Sequence, residues 1–206
     1  MGKYTSLDIK KAKEALYNHG VIAFPTETVM GLAVIYDDKQ AYNKLNQVKQ
    51  RPEDKPYTMM VKDKEQIAKY AVINEQIQSI IDRFMPGSIT ILLRVKENSV
   101  PKYVTHDTDV IGIRIPENEE ALTLLKAVDK PLLVPSANRS GCKPTINSEE
   151  TREVFADELD YIIPGEAKLS KASTIVDLTG QTPKVVRVGP ILEEEILNAW
   201  NCKEKC

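Results

Sequence analysis

A single α/β domain, built on a mixed parallel and antiparallel sheet flanked by helices, is the fold class predicted for this 206-residue chain. Three observations lead to it. Short apolar runs of strand type alternate along the whole length with segments of helical spacing. Some links between strand segments are too short for a parallel crossover, so part of the sheet must be antiparallel. With 42% hydrophobic residues the chain can bury one substantial core, and no repeat, low-complexity tract or long linker divides it. One domain over residues 1–206 is therefore expected.

Ile9, Ala12 and Leu16 fall at helical spacing, and the pattern stops at Gly20. A buried strand over 21–24 follows, then a turn at 25–28 and a second apolar run over 32–35. Ala41, Tyr42, Leu45 and Val48 mark a helix that should end near Pro52, because proline disfavours helical geometry in the residue before it. Residues 58–61 look like another strand. Ile77, Ile80, Ile81 and Phe84 form a helical stripe that ends at Pro86-Gly87. Strict alternation then predicts strands over 89–95 and 111–115. Ala121, Leu124, Leu125 and Val128 make the next helix, before an apolar run over 132–134. Asn147 and Glu150 have capping-box spacing for a helix reaching about Ala156. Strands over 161–163, 174–178 and 185–188 precede a last helix carrying Leu192, Ile196, Leu197 and Trp200.

Composition excludes several classes of function. Twenty-eight basic residues against thirty acidic ones give a net charge of −2, which argues against a surface built throughout to hold nucleic acid. Cys142, Cys202 and Cys206 show no metal-ligand spacing, and a zinc site is not expected. With only His19 and His106, a histidine triad or multi-histidine centre has few candidates. The N-terminus lacks an apolar signal core and no stretch approaches the roughly 18 apolar residues of a membrane span, so a cytoplasmic protein is expected.

Polar residues collect where buried strands give way to loops, the usual place for ligands in open α/β sheets. Lys49 and Arg51 stand at a helix end, where favourable interaction with exposed carbonyls would alone account for them. Arg114 alternates with Ile111, Ile113 and Ile115 and so faces either solvent or a cavity. Arg187 stands likewise opposite Val186 and Val188. Two such arginines suit a planar anion. Ser136-Ala137-Asn138 follows a buried strand, and turn chemistry would explain it equally well. Thr26, Thr28 and Ser173 are ordinary loop hydroxyls when taken singly.

Taken together, the runs PTETVMGL (25–32), KQRP (49–52), PGSIT (86–90), GIRIP (112–116), PSANRSG (135–141), STIVD (173–177) and VRVGP (186–190) stand in the order of a known set. The chain resembles, over about residues 7–192, the YrdC-like family of L-threonylcarbamoyladenylate synthases. The resemblance implies a twisted mixed sheet with a concave basic cavity. It also implies an enzyme, a nucleotidyltransferase that joins L-threonine, bicarbonate and ATP into threonylcarbamoyl-AMP and pyrophosphate. A tRNA threonylcarbamoyl transferase complex would then carry the group to adenosine 37 of tRNA. By motif position, Lys49, Arg51, Lys55, Ser136, Asn138 and Arg187 would contact ATP, with Lys49 and Arg51 catalytic. Thr28, Arg114 and Ser173 would hold threonine, Arg114 gripping its carboxylate bidentately, and Mg2+ would arrive with ATP. Met30 and Met60 depart from the family pattern, replacing a usual tyrosine and a frequent histidine. A second reading is an RNA-binding or ribosome-associated paralogue with weak or altered adenylation. A third, a carbamoyl-adenylate-forming domain as in hydrogenase maturation factors, ranks last.

Overall fold

The computed structural model describes residues 4–50, 56–168 and 171–201. Helix α1 (Ser6–Tyr17) begins at a capping box: Thr5 Oγ1 accepts from the Asp8 N–H, and the Asp8 carboxylate accepts from the Thr5 N–H. It ends before Gly20, where a Cβ would lie 2.6 Å from the Ala15 carbonyl oxygen, so no larger residue fits. Strands β1 (Ile22–Phe24) and β2 (Gly31–Ile35) pair antiparallel, Ile22 opposite Ala33. Helix α2 (Lys39–Lys49) is capped by the Asp38 side chain and ends at Gln50, in the left-handed region at φ 50°. The helix thus closes two residues before the proline expected to stop it.

After β3 (Met59–Met60) comes α3 (Lys64–Tyr70), which the apolar pattern does not announce. It buries only Gln66 and Ile67, and its start depends on the Asp63 cap. Helix α4 (Glu75–Phe84), β4 (Ile89–Arg94), the four-residue α5 (Lys102–Thr105), β5 (Val110–Arg114) and α6 (Glu119–Val128) follow. Then come β6 (Leu132–Leu133), α7 (Ser148–Phe155) running into a 3-10 turn (Ala156–Glu158), β7 (Tyr161–Ile162), β8 (Thr174–Asp177), β9 (Lys184–Arg187) and α8 (Glu193–Asn201). At α7 Asn147 accepts from the Glu150 N–H at 2.8 Å, while the Glu150 carboxylate accepts from Ile146, one residue upstream of the expected partner.

Among the described residues nine strands form one sheet in the order β7-β1-β2-β6-β3-β5-β4-β8-β9. The β1·β7, β3·β5 and β4·β8 pairs are parallel and the others antiparallel. The mixed sheet expected from link lengths is therefore present.

Alternation sends successive side chains to opposite faces. Ile22, Phe24, Ala33 and Ile35 pack with Leu16 of α1 and Leu124 of α6. Ala23, Leu32, Met59, Ile91 and Ile113 pack on the other face with Leu45 of α2, Ile80 of α4 and Ile196 of α8. Helices thus cover both faces, and a separate apolar cluster fills each side of the sheet.

Acid should loosen this fold before alkali does. Thr5, and then Tyr161, hydrogen-bond the Asp8 carboxylate and hold it below the usual range. Arg139 does the same to Glu158, and Lys64 to Asp82. Groups depressed in the folded state add stability that is fully present above their unfolded values and fades as pH falls through the folded ones. Thermal midpoints should stay level from pH 7 to about 5 and decline below about pH 4, near ordinary carboxylate values. A midpoint that rises on acidification would contradict these pairings.

Candidate functional site

The segment 25–30 is buried throughout although it is a loop, so its polar groups must find partners inside the protein. Thr26 Oγ1 donates to the Val29 carbonyl at 2.7 Å and accepts from the Thr28 and Val29 N–H groups. With its single proton spent, it accepts from the Thr28 hydroxyl at 2.9 Å. Thr28 Oγ1 keeps its lone pairs for Arg114, whose Nη1 and Nη2 both donate at 3.3 Å.

Alternation left Arg114 facing solvent or a cavity; it faces a cavity. Its side chain is 5% exposed, and Nη2 also donates to Glu27, equally buried, in an ion pair. Nε donates to the Gly87 carbonyl at 3.3 Å. Four of the five guanidinium donors are thereby engaged or shared, and one Nη1 proton is left. A bidentate grip on a carboxylate would require Thr28 to yield. Glu27 itself was passed over in the sequence, although it stands between two threonines already singled out; a glutamate in a buried stretch was the available signal.

The cavity beside Arg114 has a volume of about 190 Å³. Thr28, Arg114, Ser136, Ser173 and Arg187, taken from five separate runs, all line it, and so does Met60. The pairing of Met60 with Arg114 and of Thr90 with Ile175 places these four residues along one side of the sheet.

Arg187 arrives there by a route that alternation does not predict. Val186 and Val188, expected on a buried face, are 56% and 73% exposed. The β8·β9 register explains it. Ile175 pairs with Arg187 but Val176 with Val185, so Val186 is an extra residue bulged out of the ladder. The bulge lets Val185 pack against the core while Arg187 shares a side with Ile175. Arg187 Nε and Nη2 donate to the Ser173 carbonyl at 3.0 and 2.8 Å, and Nη2 to Ser173 Oγ at 3.1 Å. Burial, and secondarily the charge of Arg114, push its pKa down, though an arginine so placed stays charged.

Lys49 and Asn138 form the support behind Ser136 and are not among the lining residues. Lys49 Nζ donates to the Ser136 carbonyl at 2.6 Å, to the Asn138 carbonyl at 3.0 Å and to Asn138 Oδ1 at 2.8 Å. Ser136 Oγ donates to the same Oδ1 at 2.7 Å. In return, Arg139 and Ser140 donate to the last carbonyls of α2, those of Val48 and Lys49, which the helix cannot satisfy itself. Lys49 therefore reaches across to a second loop instead of serving its own helix end. Arg51 and Lys55 lie outside the described residues. His19 bonds Asp38 at 2.7 Å and His106 bonds Tyr42 at 3.2 Å; neither lines the cavity.

The family model described as Sua5_yciO_yrdC, telomere recombination, matches residues 14–189. The chain belongs to this family. It is 35% identical over 178 residues to a protein named threonylcarbamoyl-AMP synthase from Pyrococcus abyssi, covering 85% of this chain and 52% of that one. The crystal structure of P. abyssi Sua5 complexed with L-threonine superposes with a TM-score of 0.88 at 33% identity, covering 93% of this chain and 56% of that one. Escherichia coli YciO superposes with a TM-score of 0.83 at 28% identity, over 92% of each chain. This family member thus spans about half the length of the P. abyssi protein and nearly all of YciO. The mixed α/β architecture expected of the family is present. Of its expected basic cavity, the lining provides two arginines, one of them paired with Glu27.

Close packing at Gly31 supports the site. A Cβ there would stand 2.7 Å from Val134 Cγ1, and both residues line the cavity. Gly31→Ala should cost about 1–3 kcal/mol through overpacking. Urea unfolding checks this, and an unchanged midpoint would show that Val134 gives way freely.

Proposed function

We propose that this protein is a threonylcarbamoyl-AMP synthase. It takes L-threonine, bicarbonate and ATP and releases threonylcarbamoyl-AMP and pyrophosphate, for transfer by a separate complex to adenosine 37 of tRNA. The observation that carries the reading is convergence: Thr28, Arg114, Ser136, Ser173 and Arg187 line one cavity. The family relationship and the threonine complex of P. abyssi Sua5 support it.

The chemistry asks little of the protein beyond placement. Threonine and bicarbonate combine with loss of water to give the carbamate. One carbamate oxygen attacks the α-phosphorus of ATP as the bond to the β-phosphate oxygen breaks, and pyrophosphate carries the electron pair away. No protein nucleophile is needed. Fixed cations stabilise charge spread over the phosphoryl oxygens. In this reading Thr28, Arg114 and Ser173 orient the amino acid, while Ser136 and Arg187 face the α-phosphate. Lys49 and Asn138 hold the Ser136 loop in place. At about 190 Å³ the cavity is smaller than the roughly 300–1,000 Å³ typical of larger ligands, so the nucleotide extends beyond it.

No three His, Cys, Asp or Glu side chains among the described residues stand together as a metal site. Magnesium arriving with ATP would keep phosphate and water ligands.

Among the lining hydroxyls, those of Thr26, Thr28, Thr90, Ser136 and Ser173 already have partners within the protein. The Tyr57 hydroxyl donates to Asn46, so among the described residues Thr58 is the lining residue left to meet the threonine hydroxyl, since Met60 supplies no comparable hydrogen bond. Thr58→Val should reduce the preference for threonine over valine roughly tenfold in kcat/KM. An unchanged ratio would mean that another group recognises the hydroxyl.

The deciding assay follows pyrophosphate release while ATP, threonine and bicarbonate are omitted in turn. Release must require all three. Met60 in the cavity favours as second reading a paralogue with altered amino-acid use. ATP-dependent pyrophosphate release that persists without threonine, but needs another amino acid, would establish it. RNA affinity that falls steeply with salt, with no turnover under any combination, would point instead to the RNA-binding paralogue. Among the described residues no helix is long and apolar enough to cross a membrane.

A further inference from the structure

Two arginines line one small cavity, and the reaction proposed above brings to it one ligand with a single carboxylate and another with a chain of phosphates. Electrostatics alone would let the more highly charged ligand occupy both arginines. The two are not equivalent, however. Arg114 is paired with a buried carboxylate, whereas among the described residues Arg187 donates to the carbonyl and hydroxyl of Ser173.

Glu27 is the source of the difference. It is 4% exposed, yet among the described residues no carboxylate lines the cavity: the charge of Glu27 reaches the site through Arg114. One oxygen receives Arg114 Nη2, and the other, Oε2, is buried with no hydrogen-bond partner. Among the described residues no further donor disperses this charge, and what it offsets is the guanidinium beside it. The two arginines also feel each other, since the charge of Arg114 helps to depress the pKa of Arg187.

We infer that Glu27 is a specificity-determining residue: by compensating Arg114 it leaves an end of the cavity that orients a carboxylate but does not retain phosphate, and it reserves phosphate for Arg187. The inference rests on the reading of Arg114 as the amino-acid end. Glu27 touches neither ligand and acts through Arg114. Its removal should therefore strengthen phosphate binding, which loss of a merely structural contact would not do.

The test is direct binding of pyrophosphate, without turnover, by titration calorimetry at fixed ionic strength, repeated with L-threonine present. Glu27→Gln keeps the shape and removes the charge. It should bind pyrophosphate about tenfold more tightly than the parent protein, as expected when a neighbouring like charge is removed from an anion site. Threonine should compete for the added affinity, and the added affinity should vanish in Glu27→Gln/Arg114→Met. Glu27→Asp, which withdraws the carboxylate by one methylene, should fall between, about threefold tighter than the parent. Should the glutamine variant not fold, the aspartate value decides. Unchanged pyrophosphate affinity in the variant measured overturns the inference. Tighter pyrophosphate binding with no competition by threonine leaves the charge-setting role of Glu27 standing and overturns the placement of the amino acid at Arg114.

Discussion

Arg114→Met should lower the free energy of unfolding by about 3–5 kcal/mol, because it leaves the Glu27 carboxylate buried without its counter-ion. Both side chains are 5% exposed, so the pair is largely removed from bulk water. Thr28 loses two donors at the same time and Gly87 loses one. Replacing both members of the pair, as in Glu27→Gln/Arg114→Met, should recover most of the loss, since apolar or neutral groups of similar volume often substitute for a buried pair at little cost. Urea denaturation of the parent, single and double variants measures each step. A single variant within about 1 kcal/mol of the parent would show that Glu27 is neutralised or hydrated and that the pair is weak. Activity should be lost in both variants, because both lack the group proposed to orient the amino acid.

Lys49→Ala should reduce kcat by about 10²-fold, the size expected when a support behind the site lets a placed group shift by about 1 Å. The physical cause is its position between two segments. Its ammonium holds the Ser136 carbonyl and both oxygens of Asn138, and through them the loop that presents the Ser136 hydroxyl to the cavity. Removing it should also cost about 1–3 kcal/mol of stability, because buried acceptors lose their donor. Lys49→Met keeps the apolar stem and separates the two effects: stability should partly return while activity does not. Full activity in Lys49→Ala would show that Ser136 and Asn138 keep their arrangement unaided.

The helix and strand segments were legible because burial imposes periodicity directly on the sequence. Ile77, Ile80, Ile81 and Phe84 line one side of α4 and all enter the core, as their spacing requires. Ile111, Ile113 and Ile115 enter it as well and leave Arg114 on the opposite side. Helix α3 was not legible, since two buried residues make no stripe and its start depends on a single aspartate cap. Val186 and Val188 misled for a related reason. Alternation assumes an unbroken ladder, and one bulged residue reverses the facing of everything beyond it.

Family membership and the chemical character of the site were written in the order of short polar runs, because catalysis by placement needs specific side chains at strand ends and loops. That order names Thr28, Arg114, Ser136, Ser173 and Arg187 without saying that they meet. The sheet order, with β5 between β3 and β4, brought Arg114 and Met60 together, and the bulge at Val186 turned Arg187 to join them. Glu27 acquired its role only in three dimensions. Its partner lies 87 residues away in the chain, and the strength of a charge pair depends on distance and burial, which linear sequence does not contain.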